Sequence, residues 1–336
     1  MPKTLFAAAA LVLAGGGAAL AQAPAAPAAK PGIDMGVLQV QVILDHLGFS
    51  PGVLDGRKGM SLTAAIKGFQ ESRGLKKTGE VDAPTLAALK PYQVWTPTKT
   101  LALTAATLAG PYINPIPHGE DQQAKLPGLY YRSPMEKLAE MFHTTPEVLM
   151  ALNSADTKLS PGTKVVFPNA LPTSRSYDPS LPQAWRDTLA SLNVDGNEPK
   201  AAKIVVDKSE SVLKVFDDSD KLVAQFQVTT GSTHDPLPIG NWKINGPDYN
   251  PKFAYNPALF WDAKAGDAKA MLPPGPNGPV GVVWLDLSKE HYGIHGTPEP
   301  SLIGRTESHG CVRLANWNAA RLAMMVKPGT PVVFQE

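Results

Sequence analysis

Apolar positions along the chain fall into blocks of different period, and the period changes at stretches rich in Pro, Ala and Thr. The first block, Leu5 to Leu20, is a short Ala-rich run behind Lys3, broken by Gly15, Gly16 and Gly17, with Ala19-Leu20-Ala21 just ahead of Gln22. A membrane span takes about 20 strongly apolar residues. A basic start, a short apolar core and a small-x-small end instead predict a cleaved secretory signal over residues 1–21. Residues 22–32 are mostly Ala and Pro, with almost nothing large to bury, and read as a tether. From residue 34 the period becomes helical. Val37, Val40, Leu44 and Leu47 follow a candidate Asp34 cap, Ile66 and Phe69 sit in a helix starting near Ser61, and Leu86 and Leu89 follow Asp82. A small all-α bundle of three helices is predicted over 33–92.

Residues 93–125, rich in Thr, Pro and Gly, read as a linker with one strand near Thr100–Ala106. Ser133-Pro134-Met135-Glu136 has the form of a capping box with Pro at the first helical position, ahead of Leu138, Ala139 and Phe142. Thr144 and Glu147 form a second candidate box ahead of Leu149 and Leu152, and a "KVVF" strand ends at Pro168. An α+β unit over 126–170 follows. Residues 171–200 are a second Pro/Ser-rich linker with a helical segment around Trp185–Leu192.

The pattern then changes to period two. Strands are expected at 203–206, 212–216 and 222–229, the last alternating Leu222, Ala224, Phe226 and Val228 against Val223, Gln225, Gln227 and Thr229. Further strands are expected at 280–287 and 330–334, with one helix around 318–326. Residues 201–336 are therefore a mostly-β domain, a sandwich or partial barrel.

Charge excludes rather than suggests. With Lys+Arg 31 against Asp+Glu 30 there is neither a basic excess for nucleic acid nor an acidic tail. Cysteine usage says more, because Cys311 is the only one in the chain. It cannot form an internal disulfide, and no cysteine follows the signal to take a lipid, so the mature chain is expected to have no membrane anchor. A lone thiol in an exported chain is either buried and inert or free with a task.

Its neighbours bear on that choice. "HYGIHGTPEPSLIGRTESHGCVRLANW", residues 291–317, holds three of the seven histidines and the cysteine. A thiol attacks carbonyls as the thiolate, so a catalytic Cys needs a base or positive charge nearby, usually a His oriented by a third group. Zinc is the competing chemistry. His291 and His295 are four apart, but Tyr292 stands where a zincin has Glu, and Gly293 and Gly296 argue against a helix. A set of His295, His309 and Cys311 has no second cysteine to complete it, so neither metal nor cofactor is expected.

Three stretches resemble known families. Residues 37–89, through Asp55-Gly56, Thr63, Phe69-Gln70, Gly74-Leu75, Thr78-Gly79 and Thr85, resemble the peptidoglycan-binding domain of wall hydrolases. The helix pair closed by "LSPGTKVVFP" is similar to the LysM module, with "YYRSP" in place of the usual Gly-Asp-Thr turn; it would either bind glycan or act as a spacer. His295-Gly296, then Ser308-His309-Gly310-Cys311 with Arg313 after it, resemble the signature of the YkuD-type L,D-transpeptidase domain, His and Cys being 16 positions apart. That resemblance extends through Pro238-Ile239-Gly240, "GPNGPVGVVWLDL" and "KPGTPVVF".

The resemblance implies that Cys311 is acylated, that His295 takes its proton, and that the Gly296 carbonyl fixes the imidazole. His309 and the amides around Gly310 and Cys311 would shape an oxyanion site, and Ser308, Thr297 and Arg313 would contact substrate. Arg313 suits a carboxylate by its planar fork, with a structural ion pair as the alternative. The implied partners are peptidoglycan stem peptides and glycan strands in the periplasm. The acyl acceptor stays open among an amine of a second stem, an amine of an outer-membrane protein or lipoprotein, and water. A wall-binding scaffold without catalysis is the reading from another class, and the intact His/Cys motif argues against it.

Overall fold

The computed structural model describes residues 32–336 except 262, 264 and 265; the expected signal and nearly all of the tether lie outside the described residues. Ile33–Glu336 packs as one compact unit.

Helix α1 (Met35–His46) begins where the Asp34 carboxylate accepts from the Gly36 and Val37 N–H groups. Helices α2 (Met60–Ser72) and α3 (Ala83–Leu89) complete the bundle, α3 capped by Asp82 on the Thr85 N–H. Ile43, Leu44, Phe49, Ile66, Phe69 and Leu89 form its core. The motif positions singled out in the sequence bond to one another. Buried Gln70 donates to the Thr78 and Thr85 hydroxyls and accepts from the Gly79 N–H, and Gln41 ties down Asp55 and Gly56 in the same way. A buried amide left unbonded would cost about 1–3 kcal/mol, so these residues hold the loops in place.

The next unit takes its first strand from the stretch read as linker. Strand β1 (Thr98–Ala102) pairs antiparallel with β2 (Lys164–Pro168). Between them run two single turns, α4 (Ala105–Leu108) and α5 (Glu120–Gln123), and the helix pair α6 (Pro134–Met141) and α7 (Pro146–Leu152). Leu138, Phe142, Leu149, Val165 and Phe167 pack together beneath the sheet. Ser133 caps α6 as the sequence suggests. At α7 the cap is Thr145 rather than Thr144, because Pro146 takes the first helical position; the Thr144 hydroxyl donates instead to the Leu54 carbonyl of the first bundle (2.7 Å).

The second expected linker is also structural. Helix α8 (Gln183–Ser191) buries Trp185 and Leu189 completely in the core of the β domain. A fragment starting near residue 200 would lose both side chains. The domain itself is an eight-stranded sheet of order β11-β10-β9-β6-β12-β3-β4-β5. Its strands are β3 (Lys203–Asp207), β4 (Val212–Phe216), β5 (Leu222–Gln227), β6 (Gly240–Tyr249), β9 (Val283–Leu287), β10 (Gly293–Thr297), β11 (Val312–Ala315) and β12 (Pro331–Gln335). A bulge between Ile244 and Gly246 bends β6, which runs from one half of the sheet into the other, and the sheet curls toward a partial barrel. A small hairpin, β7 (Phe253–Tyr255) with β8 (Ala270–Leu272), stands apart. Helix α9 (Asn316–Met325) packs on the sheet, with Trp317, Ala320 and Leu322 fully buried.

One buried polar cluster joins the three units. Asp45 of α1 faces His143 Nδ1 (2.8 Å) and Arg321 Nη1 (3.3 Å), Arg321 Nε donates to Glu198 (2.6 Å), and His143 Nε2 lies 2.9 Å from the Leu192 carbonyl. Trp317 stacks on the His143 ring. No helix among the described residues is long and apolar enough to cross a membrane.

Candidate active site

The 291–317 stretch folds into two parallel strands joined by a loop. In β10 and β11, Ile294 pairs with Val312 and His295 with Arg313. Side chains alternate faces along a strand, so Gly293, His295, Cys311 and Arg313 share one face, with Cys311 just ahead of β11. The Gly-rich sequence that weakens a strand pattern is what allows the packing. A methyl carbon at Gly293 would lie 2.3 Å from the Trp284 ring, and one at Gly310, whose φ is +94°, would lie 2.6 Å from the Tyr292 ring.

His295 is 4% exposed, and its Nδ1 lies 2.7 Å from the Gly296 carbonyl oxygen. A carbonyl only accepts, so Nδ1 carries the proton and Nε2 of the neutral ring is left as an acceptor. Burial, then the Arg313 charge, push this imidazole down to about 4, against a smaller upward pull from the Gly296 carbonyl. Trp284 stacks on it at 5.4 Å.

Cys311 is half-buried. Burial pushes its thiol up, while the Gly293 N–H and the Arg313 charge pull the other way. Its Sγ faces the His291 carbonyl at 3.9 Å and makes no hydrogen bond to His295. Burial outweighs both stabilising neighbours, so these neighbours alone do not draw the thiol below its ordinary range. The resting pair is a neutral thiol and a neutral base.

The remaining expected residues divide. Thr297 is buried at the end of β10, its hydroxyl accepting from the Glu299 N–H (3.4 Å). Ser308 is buried too, and its hydroxyl donates to the Cys311 carbonyl (2.5 Å), so it acts on the loop's own backbone. His309 is half-buried, with its ring edge-on to Phe260 at 5.1 Å and near Trp261, both in the segment connecting β7 and β8. Among the described residues no group of three or more His, Cys, Asp or Glu could hold a metal ion.

Sequence reasoning missed Trp284, Tyr292 and Asn316. Trp284 lies in a stretch read only as a strand, although its register puts it directly beside His295. Asn316 is fully buried behind Gly296. Nothing in the local sequence marks it.

Residues 201–334 match the family model of the L,D-transpeptidase catalytic domain, YkuD. This domain belongs to the YkuD family. Residues 35–89 match the model described as "Putative peptidoglycan binding domain". "Putative L,D-transpeptidase YkuD" of Bacillus licheniformis is 54% identical over 59 residues, 18% of this chain and 36% of that protein. "Probable L,D-transpeptidase YbiS" of Escherichia coli strain K12 is 31% identical over 137 residues, 39% of this chain and 44% of that one. The chain thus spans about a third of the first relative's length and less than half of the second's. A solved L,D-transpeptidase from Mycobacterium smegmatis superposes with a TM-score of 0.33 at 20% identity, covering 40% of this chain and 58% of that one.

Proposed function

We propose that the chain is a peptidoglycan L,D-transpeptidase in which Cys311 is the nucleophile and His295 the base. The observation that carries this is the pairing of strands β10 and β11. It sets the sole thiol on the same face as an imidazole whose tautomer is fixed by the Gly296 carbonyl.

The donor is a tetrapeptide stem. Cys311 Sγ attacks the carbonyl of its third residue, a diamino acid, as the thiol proton passes to His295 Nε2. Because the resting pair is neutral, the proton moves with the attack rather than before it. The oxyanion is held by His309 and the amides around Gly310 and Cys311, where one donor is worth roughly 3 kcal/mol of barrier. Collapse breaks the amide bond, and His295 returns the proton to the departing D-alanine amine, leaving a thioester. An amine of a second stem attacks that carbonyl, His295 takes its proton, and the thiol is restored as the new cross-link forms. Arg313 faces this chemistry as a fixed positive charge beside the site, suited to a substrate carboxylate. The peptidoglycan-binding domain brings the enzyme to its polymer, in the periplasm.

Muropeptide analysis of purified sacculi incubated with the protein tests this. New cross-links between the third residues of two stems are expected, with none from Cys311→Ala. Shortened stems without cross-links, or released protein, would replace the stem amine by water or a protein amine as acceptor. Unchanged sacculi would overturn the reading.

A further inference from the structure

Glu140 stands out as a carboxylate with no cation among its hydrogen-bond partners, yet it is only 7% exposed. It projects from α6 of the helix-pair unit. One oxygen accepts from the Tyr131 hydroxyl of its own unit (2.5 Å), the other from Asn316 Nδ2 at the start of α9 (2.8 Å). Burying a carboxylate without a counter-charge costs several kcal/mol. That burial pushes Glu140 up to about 7. An independent wall-binding module gains nothing from such a residue.

What the carboxylate holds is the back of the catalytic strand. Asn316 is fully buried and each of its polar atoms is engaged: Nδ2 also donates to the Pro276 carbonyl (3.0 Å), and Oδ1 accepts from the Val282 N–H (3.2 Å). The amide cannot turn without losing these bonds. Its Oδ1 presses on two glycines, since a methyl carbon at Gly296 would lie 2.2 Å from it and one at Gly281 1.9 Å. Gly281 in turn abuts Gly296, where its own added methyl carbon would be 2.7 Å from the Gly296 carbonyl carbon. The Gly296 peptide is clamped between Asn316 and Gly281, and its carbonyl is the group that fixes His295.

We infer that Glu140 of the helix-pair unit is a positioning residue for His295, acting through Asn316 and Gly296, so that this unit is a support of the active site. The inference rests on the reading of His295 as the base of Cys311. Loss of the carboxylate removes one of the three bonds that hold the Asn316 amide, so the clamp on the Gly296 peptide loosens, its carbonyl is directed less firmly at Nδ1, and the imidazole samples both tautomers. Glutamine in its place keeps an oxygen for Asn316 and turns its amide toward the Tyr131 hydroxyl, which can accept.

The test uses the full-length protein and two readouts, the rate of Cys311 acylation by a carbapenem and the imidazole nitrogen NMR signals of His295. Glu140→Ala is expected to acylate about tenfold slower or worse, the scale for a misplaced catalytic group, and to show mixed His295 tautomers; Glu140→Gln is expected to restore both. His143→Ala removes a buried contact of the same unit that does not touch Asn316, so it serves as the control matched for lost melting temperature. If Glu140→Ala does not fold, isosteric Asn316→Asp breaks the same link and is expected to slow acylation similarly. A wild-type rate with unchanged tautomer in a folded Glu140→Ala or Asn316→Asp would overturn the inference, as would an equal loss in His143→Ala. If wild-type protein itself formed no adduct, the proposed function would fail instead, and the NMR signals would still report whether Glu140 governs the tautomer.

Discussion

His143 and His295 are equally buried, at 3% and 4% exposure, and both stack on a tryptophan. Their hydrogen bonds make them different tools. Each nitrogen of His143 faces an oxygen, of the Asp45 carboxylate and of the Leu192 carbonyl, so both are engaged within the fold. His295 has one acceptor, a neutral carbonyl, and a cation beside it, so its charged form is disfavoured and its second nitrogen stays open. A histidine with two acceptors joins elements of a fold; a histidine with one fixed nitrogen is left with a free lone pair for chemistry.

Exchanging the two roles by mutation gives the largest expected effects. His295→Ala should lower the acylation rate by about 10²–10⁴-fold, the usual worth of general base catalysis, with little change in melting temperature. His143→Ala should do the reverse, costing roughly 3 kcal/mol of stability, as expected when one partner of a buried pair is removed, while acylation per folded molecule holds. Urea titration beside the rate measurement checks both. A His295→Ala protein destabilised as much as His143→Ala, with acylation rates similarly affected, would erase the distinction.

The junction should also give a pH effect of its own, below the window from about pH 6.5 to pH 4 in which the depressed His295 imidazole makes stability fall with acid. Burial, the largest influence, pushes Asp45 up, but His143 and Arg321 together outweigh it and hold the carboxyl at about 2 against an ordinary 3.8. A depressed carboxyl stabilises the fold above its unfolded value and loses that contribution as pH falls through its folded value. Asp45 should therefore contribute about 2 kcal/mol that disappears between about pH 4 and pH 2. In Asp45→Asn, urea midpoints should fall less steeply with acid over that window; equal slopes would show that the carboxylate is not held by His143 and Arg321.

The core strands of the β domain were legible from alternation, and the stretch with the sole cysteine and three histidines stood out by residue type, its pairing of Cys311 with His295 coming from the resemblance to the YkuD-type signature. Strand β6 was missed because Gly240, Gly246 and Pro247 interrupt its pattern, the last two lying where the strand bends. The α7 cap was displaced by one residue, since two adjacent threonines offer the same oxygen and only tertiary contact assigns Thr144 to Leu54. Both stretches read as linkers had too few apolar residues to form a core alone, yet Trp185 completes the core of another unit. The cluster of Asp45, His143, Glu198 and Arg321 joins positions up to 276 residues apart, and no local pattern encodes it.

The most direct test of Cys311 as acyl carrier is intact-mass measurement after mixing the protein with a tetrapeptide stem fragment and no amine acceptor. The account predicts a single adduct equal to the stem less D-alanine, mapped to Cys311 and matched by free D-alanine, absent in Cys311→Ala and slow in His295→Ala. The same adduct on Cys311→Ala protein, or D-alanine released by that variant at the wild-type rate, would contradict it.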